Sequence, residues 1–283
     1  MARAYRSVLY IPAANQRAME KAQGLTADAI IFDLEDAVAP DAKEAARDAL
    51  AQALTQDYGR RARIVRINGM ATDWGEGDAR ACAGALADKA DAVLIPKVDS
   101  AADLDRVAAL IPDLPLWAMM ETPLGMLNAA EIAAHPRLQG MVMGTNDLAK
   151  ELNSRFRPDR LPMQSGLGLC LLAAKAYGKV IVDGVFNAFK DDEGLRAECE
   201  QGRDMGFDGK TLIHPAQLAI TNQVFAPADA DIDLARRQIE AFEAATREGK
   251  GVAVVDGKIV ENLHVETARK TLALAEAIAE MTE

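Results

Sequence analysis

The chain has 283 residues, half of them apolar and 27% charged, enough for one large core with an appendage and incompatible with intrinsic disorder. Asp and Glu outnumber Lys and Arg by 43 to 32, a formal charge of -11, and no basic run supplies the footprint that nucleic acid requires. Cys82, Cys170 and Cys199 are too few and too scattered for a disulfide framework or a thiolate metal cluster, so a reducing, cytoplasmic location is expected.

The opening, MARAYRSVLYIPAANQR, sets basic residues before an apolar patch, but SVLYIP is too short for the core of a signal peptide and reads as a first strand. Seven further apolar runs follow: AIIFDLE from Ala29, RIVRIN from Arg63, AVLIPK from Ala92, LWAMME from Leu116, GMVMGTN from Gly140, VIVDGV from Val180 and KTLIH from Lys210. Rich in Val and Ile and apolar on both faces, they predict buried parallel strands. Between them, composition and periodicity predict helices over residues 17–24, 43–56, 76–89, 101–110, 128–135 and 193–205. The longest apolar stretches, such as residues 167–174, fall far short of the roughly 18 residues of a membrane span, so no bilayer crossing is expected.

Alternating strands and helices imply right-handed crossovers, and eight such units over about 220 residues match an α/β fold of the (β/α)8 TIM-barrel type. An open doubly wound sheet is the competing architecture. Against it, no strand leads into a G-x-G-x-x-G turn, and the glycines of SGLGLC adjoin a helical run with no strand before them. After Phe225 the pattern changes to a helix over 232–248, a GKG break, VAVV and KIV around Asp256-Gly257, and a last helical run over 265–280. Asp-Gly between β-branched residues predicts a tight hairpin, which sets Glu261 just beyond it. The expected division is a barrel catalytic domain over 1–225 and a helix-hairpin-helix extension over 226–283.

In such a barrel, polar residues that end apolar strands form the site. Asp33, Glu35 and Asp36 are assigned to the second strand end, Arg66 and Asn68 to the third, Lys97 to the fourth, Glu121 to the fifth, Asn146 and Asp147 to the sixth, Asp183 to the seventh and His214 to the eighth. Glu121 and Asp147 come from neighbouring strands, and hard oxygen ligands without Cys or His favour Mg2+, with Mn2+ as a substitute. The competing reading pairs both carboxylates with Arg or Lys. The fork of Arg66 suits a substrate carboxylate or an enolate oxygen, or an ion pair with Glu35 or Asp36. Three acids in four residues exceed what one metal needs, so Glu35 and Asp36 are read as positioning Arg66, Lys97 or a metal-bound water. His214 reads as a hydrogen-bonded structural residue. Arg17 and Lys21, one helical turn apart and preceded by Arg3 and Arg6, form either a basic patch for a phosphorylated anionic substrate or a solvated helix face.

At this point RSVLYIPAANQRAMEKA, DAIIFDLEDAVAPDAKEAAR, IVRING, VLIPKVDSAADL, METPLGMLNAAEI, MGTNDLAKEL, VDGVF, GFDGKTLIHPAQL and NQVFAP, in that order, carry a resemblance. The chain resembles the citrate lyase β-subunit-like branch of the HpcH/HpaI aldolase superfamily, close to malyl-CoA and citramalyl-CoA lyases, from about Arg6 to the C-terminal helix. The resemblance implies a barrel whose C-terminal lid covers a neighbouring subunit's site, in homotrimers or homohexamers. It implies Mg2+ on Glu121 and Asp147, a keto-acid or enolate contact from Arg66, and acyl-CoA contacts from Tyr10, Lys21 and the Asp183-Gly184 turn. Two departures stand out: Asn15 replaces a basic residue after the first strand, with Arg17 nearby, and Glu261 replaces an aspartate in the DGKIVE hairpin.

The resemblance points first to Mg2+-dependent cleavage of a 3-hydroxyacyl-CoA such as (3S)-malyl-CoA, or its methylmalyl or citramalyl analogue. The products are a small 2-oxo acid, glyoxylate or pyruvate, and a short acyl-CoA. Arg66 then stabilises the developing oxyanion and Glu261 moves the proton at the acyl α-carbon. Near-attack geometry is sensitive to about 1 Å, so the extra methylene of Glu261 makes hydrolysis of the (3S)-malyl-CoA thioester to malate and CoA the alternative. A non-catalytic acyl-CoA or acyl-carrier binding subunit is a third reading, opposed by the complete set of acids, arginine and metal ligands. An aldolase acting on pyruvate without CoA is a fourth, in which Arg17 and Lys21 are dispensable.

Overall fold

Strands that bury every side chain need cover on both faces, and the computed structural model, which describes residues 3–281, closes eight of them into a barrel. The strands are β1 (Ser7–Pro12), β2 (Ala29–Asp33), β3 (Ala62–Arg66), β4 (Ala92–Ile95), β5 (Leu116–Met120), β6 (Leu138–Met143), β7 (Val180–Asp183) and β8 (Gly209–Leu212). They pair in parallel and in chain order, with β8 returning to β1. The fold is the expected TIM barrel. β2, β4, β5 and β8 are buried along their whole length, the polar Asp33 of β2 and Lys210 and Thr211 of β8 included.

One unit of the chain, Tyr5–Gln223, contains the barrel; the other contains the chain from Val224 onward with the N-terminal segment up to Ala4. The helices of the first part of the chain are α1 (Gln16–Ala22), α2 (Lys43–Ala53), α3 (Gly75–Ala83), α4 (Ala101–Ala108), α5 (Pro123–Leu127), α6 (Ala129–Ala134), α7 (Thr145–Glu151), α8 (Gln164–Ala176), α9 (Asp192–Met205) and α10 (Leu218–Phe225). α3 is shorter than the periodicity over 76–89 predicts, because Gly84, off the helical conformation at φ -115° and ψ -100°, ends it. GMVMGTN does not continue as a strand to its last residue. Gly144 breaks it, and Thr145, Asn146 and Asp147 form the first turn of α7 rather than a strand end.

Inside the barrel, Val8, Ile31, Ile64, Leu94, Val142 and Val182 pack with Trp117 in one cluster. The Trp117 ring meets Tyr5 at 5.1 Å between centroids. Its register partner on β6 is Gly140, where a Cβ would lie 2.5 Å from the indole. At the N-terminal end of the barrel, aspartates before three strands bind the preceding strand's backbone. Asp28 accepts from Arg6 N at 2.8 Å, Asp91 from Arg63 N at 2.8 Å and Asp208 from Ile181 N at 2.8 Å. Arg6 also forks onto Asp28 at 2.9 and 2.8 Å and is buried, so it is no part of a basic surface patch.

In the second unit, α11 (Asp229–Arg247) and α12 (Asn262–Glu280) flank a hairpin of β9 (Ala253–Val255) and β10 (Lys258–Val260). Ala253, Val260 and Val265 form its small core against Ile239 and Phe242. Asp256 and Gly257 adopt φ of 49° and 74°, the paired positive values of a type I′ turn. Arg237 Nη1 holds both Asp256 carboxylate oxygens at 2.8 Å. α12 starts at Asn262, three residues before the predicted 265, and Glu261 is its N-cap.

Gly140→Ala forces a methyl into the Trp117 ring. It is expected to lower stability by about 1–3 kcal/mol, read as a lower midpoint in urea unfolding with an unchanged slope.

Candidate active site

Arg66 and Asp33 are register partners at the ends of β3 and β2. Arg66 Nε and Nη2 donate to the two Asp33 oxygens at 2.7 and 2.6 Å, a bidentate clamp. Arg66 Nη1 lies 2.9 Å from Glu35 Oε2 and 3.8 Å from Asp36. The sequence offered Glu35 or Asp36 as the partner of this arginine; Asp33 is its main partner, with Glu35 second. Burial works against the Arg66 charge, but Tyr10, Asp33 and Glu35 outweigh it and hold its pKa above the ordinary value. The Tyr10 ring lies 5.0 Å from the guanidinium carbon, and its hydroxyl donates to Met119 Sδ at 3.3 Å. Burial pushes that phenol upward.

The loop beyond β2 is pinned from behind. Lys43, a buried lysine that the sequence reading passed over, donates to Leu34 O at 2.9 Å, Glu35 O at 2.7 Å and Asn68 Oδ1 at 2.7 Å. Asn68 is buried against Asp78 and is a structural residue.

Across the mouth, Glu121 is 3% exposed, and Gly144 makes room for it: a Cβ there would lie 2.5 Å from Glu121 Oε2. Lys97, in the left-handed region at φ 50°, donates its backbone N–H to Glu121 Oε1 at 2.8 Å. Its ammonium sits 3.7 Å from Glu35 and 3.8 Å from Asp147. Burial pushes the carboxyls of Glu121 and Glu35 up to about 7 each, and the cations beside them do not offset it. This is a carboxylate cluster short of positive charge. Among the described residues no three His, Cys, Asp or Glu side chains close a metal cage by themselves. Glu121 and Asp147 line the same cavity and offer hard oxygen donors, the chemistry that suits a divalent cation whose remaining positions are taken by water or substrate oxygens.

Tyr10, Asp33, Asp36, Arg66, Glu121 and Asp147 line one cavity of about 410 Å3, with Asn146, Met119 and Ile213 also on its walls. Asn146 exchanges hydrogen bonds with Asn187 at 3.2 and 2.8 Å. Other expected residues lie elsewhere. Arg17 and Lys21 are exposed on α1, and Asn15, at the position of a missing basic residue, caps that helix through Ala18 N at 3.0 Å. His214 is exposed, accepts from Ala216 N at 3.1 Å and stacks on Phe189. Glu261 is exposed, and its N–H donates to His264 Nδ1 at 3.0 Å. Asp183 is fully buried: Arg160 Nη1 donates to both its oxygens at 2.7 Å, and Lys210 Nζ to one at 3.1 Å. Arg160 carried no sequence signal, whereas Lys210, opening an otherwise apolar strand, did.

The model of the HpcH/HpaI aldolase/citrate lyase family matches residues 6–215. The chain is 74% identical over 276 residues to a Cereibacter sphaeroides protein named (3S)-malyl-CoA thioesterase, covering 97% of this chain and 96% of that one. It is 32% identical to the L-malyl-CoA/beta-methylmalyl-CoA lyase of the same species, over 98% and 96% of the two chains. Among solved structures, CitE from Mycobacterium tuberculosis in complex with magnesium, acetoacetate and coenzyme A matches with a TM-score of 0.78 and 32% identity, covering 97% of this chain and 99% of that one.

Burial pushes the Asp183 carboxyl up, but Lys210, Arg160 and the Gly184 N–H outweigh it and hold it below the ordinary aspartate range. Its contribution to stability is therefore present above the unfolded value of about 3.9 and is lost as pH falls through the folded value. Asp183→Asn is expected to cost about 3–5 kcal/mol at pH 7. Its stability gap from the native protein should narrow below about pH 4, measured by urea unfolding across that range.

Proposed function

The chain belongs to the HpcH/HpaI aldolase/citrate lyase family, and from that membership we propose that it hydrolyses (3S)-malyl-CoA to malate and coenzyme A. The observation that carries this reading is the 74% identity, across nearly the whole of both chains, to a protein named for that reaction. Carbon–carbon cleavage, the first expectation from the sequence, becomes the second reading, supported by the relative at 32% identity that is named a lyase.

Glu121 and Asp147 are the proposed ligands of Mg2+, in line with the magnesium of the M. tuberculosis relative. When bound, the ion supplies Lewis-acid polarisation of substrate oxygens and neutralises the surplus of carboxylates. The chain's own side chains do the rest. Asp33 holds the Arg66 guanidinium in one plane, so that its charge faces the cavity and steadies a substrate carboxylate or a developing oxyanion without reorganising. Asp36 and Lys97 flank that position, and Glu35 fixes Arg66 from its other side. Tyr10 backs the arginine, and with the basic Arg17 and Lys21 it is proposed to contact the CoA portion; Asp183 and Gly184, expected at the same contact, are buried, with Asp183 held by Arg160 and Lys210. Glu261 is the proposed base that takes the proton of the attacking water. A second copy of the chain supplies it, its C-terminal unit serving as a lid in a homotrimer or homohexamer. Water adds its oxygen to the acyl carbon, the C–S bond breaks, and the sulfur leaves as the CoA thiol.

Purified protein incubated with (3S)-malyl-CoA and Mg2+, with a chelated control, is expected to release CoA thiol and malate without glyoxylate. Glyoxylate without thiol would establish the lyase instead. Glu121→Gln and Asp147→Asn should each reduce thiol release to the chelated background while leaving the circular dichroism unchanged. Full activity in either would remove the metal assignment. Glu261→Asp is expected to raise the share of glyoxylate among the products, and an unchanged share would free Glu261 from setting the partition.

A further inference from the structure

Behind the active-site cavity lies a second charged cluster that the hydrolysis does not use. Arg160, Asp183 and Lys210 are 2% exposed or less, and Glu198 is nearly buried. Arg160 binds Asp183, Lys210 binds Asp183 at 3.1 Å and Glu198 at 2.6 Å, and Gln201 receives Arg160 Nε at 2.6 Å. Two cations face two anions, so the cluster is neutral. Such clusters are a weak source of stability, since apolar packing of the same volume commonly serves as well. What they provide is direction: each bond fixes an angle that apolar contacts leave free.

The direction converges on one turn. Asp183 accepts the N–H of Gly184 at 2.8 Å, and Thr211 donates to the Asp183 carbonyl at 3.0 Å. Gly184 lies so close to α7 that a Cβ would come within 2.5 Å of Thr145 Oγ1 and 2.9 Å of the Met143 carbonyl. The placement of this turn is thus the placement of Thr145, two residues before Asp147. Thr145 and Val185 line the active-site cavity on one side and a second cavity of about 490 Å3 on the other. Arg160 and Glu198 of the cluster line that second cavity as well.

We propose that Arg160, Lys210 and Glu198 are positioning residues that act through Asp183 to hold the Gly184-Val185 turn, and with it the Thr145–Asp147 segment, in register with the substrate. The kinetic arm of this inference rests on the hydrolase reading; the exchange arm does not. The test is the double variant Glu198→Gln with Lys210→Met, which keeps the Arg160–Asp183 pair and the neutral balance. Amide hydrogen exchange by mass spectrometry is expected to speed up about tenfold or more in peptides covering residues 145–148 and 184–187, with the other strands unchanged. The kcat for thiol release should fall about 10- to 100-fold with KM little altered. Unchanged exchange in both segments, or an unchanged kcat, overturns the proposal. If the double variant does not fold, Arg160→Lys, which keeps the charge and gives up the fork, should show the same two changes at smaller size; unchanged exchange and kcat overturn the proposal here too. Absence of thiol release from the native protein would fail the hydrolase reading alone, and the exchange measurement would still decide the positioning role.

Discussion

The clamp between Arg66 and Asp33 sets the terms for the rest of the barrel mouth. It joins register partners on adjacent strands, so the closure of the barrel itself brings fork and carboxylate together. With Asp33 committed to the arginine, the remaining acids have too little cationic company. Glu35 shares Nη1, Glu121 has a backbone N–H, and Asp147 has an ammonium 3.8 Å away. The proposed divalent cation would complete that charge pattern, and the same clamp stops Arg66 from swinging across to supply the missing charge.

The two ends of the barrel use charge differently. At the N-terminal end, Asp28, Asp91 and Asp208 each stitch one strand start to the next through a backbone N–H, three versions of one local device. Those carboxylates are consumed by the fold. At the C-terminal end, Glu35, Glu121 and Asp147 stay only partly satisfied, and Gly144 stands beside Glu121 where a side chain would collide with its carboxylate. The division matches the general rule that the bottom of such a barrel secures the fold and the top carries the chemistry.

Much of this was legible in the sequence because strand burial writes itself as apolar runs and the closing polar residue of each run is conspicuous. Asp33, Arg66, Glu121 and Asp147 reach one cavity as the alternation of strands and helices implies. Direction was not legible. Asp183 ends its strand just as Asp33 does, yet it turns to Arg160 rather than to the cavity, and the difference lies in an arginine from a loop with no periodicity. Arg6 read as surface charge because its partner, Asp28, is 22 residues away. Asn146 and Asp147 read as a strand end because nothing but Gly144 marks the break. In each case a residue type was visible and its long-range partner was not.

The three cysteines offer a last consequence. All are buried, and burial pushes the thiols of Cys82 and Cys170 up to about 12 and that of Cys199 upward as well. Thiolate is the form that reacts with disulfide reagents, so the native chain is expected to react only slowly with a colorimetric thiol titrant. Coenzyme A from the proposed hydrolysis could then be followed continuously against a flat background. A preparation that opens during the assay announces itself by up to three equivalents of slow colour per chain, a built-in count of unfolded molecules.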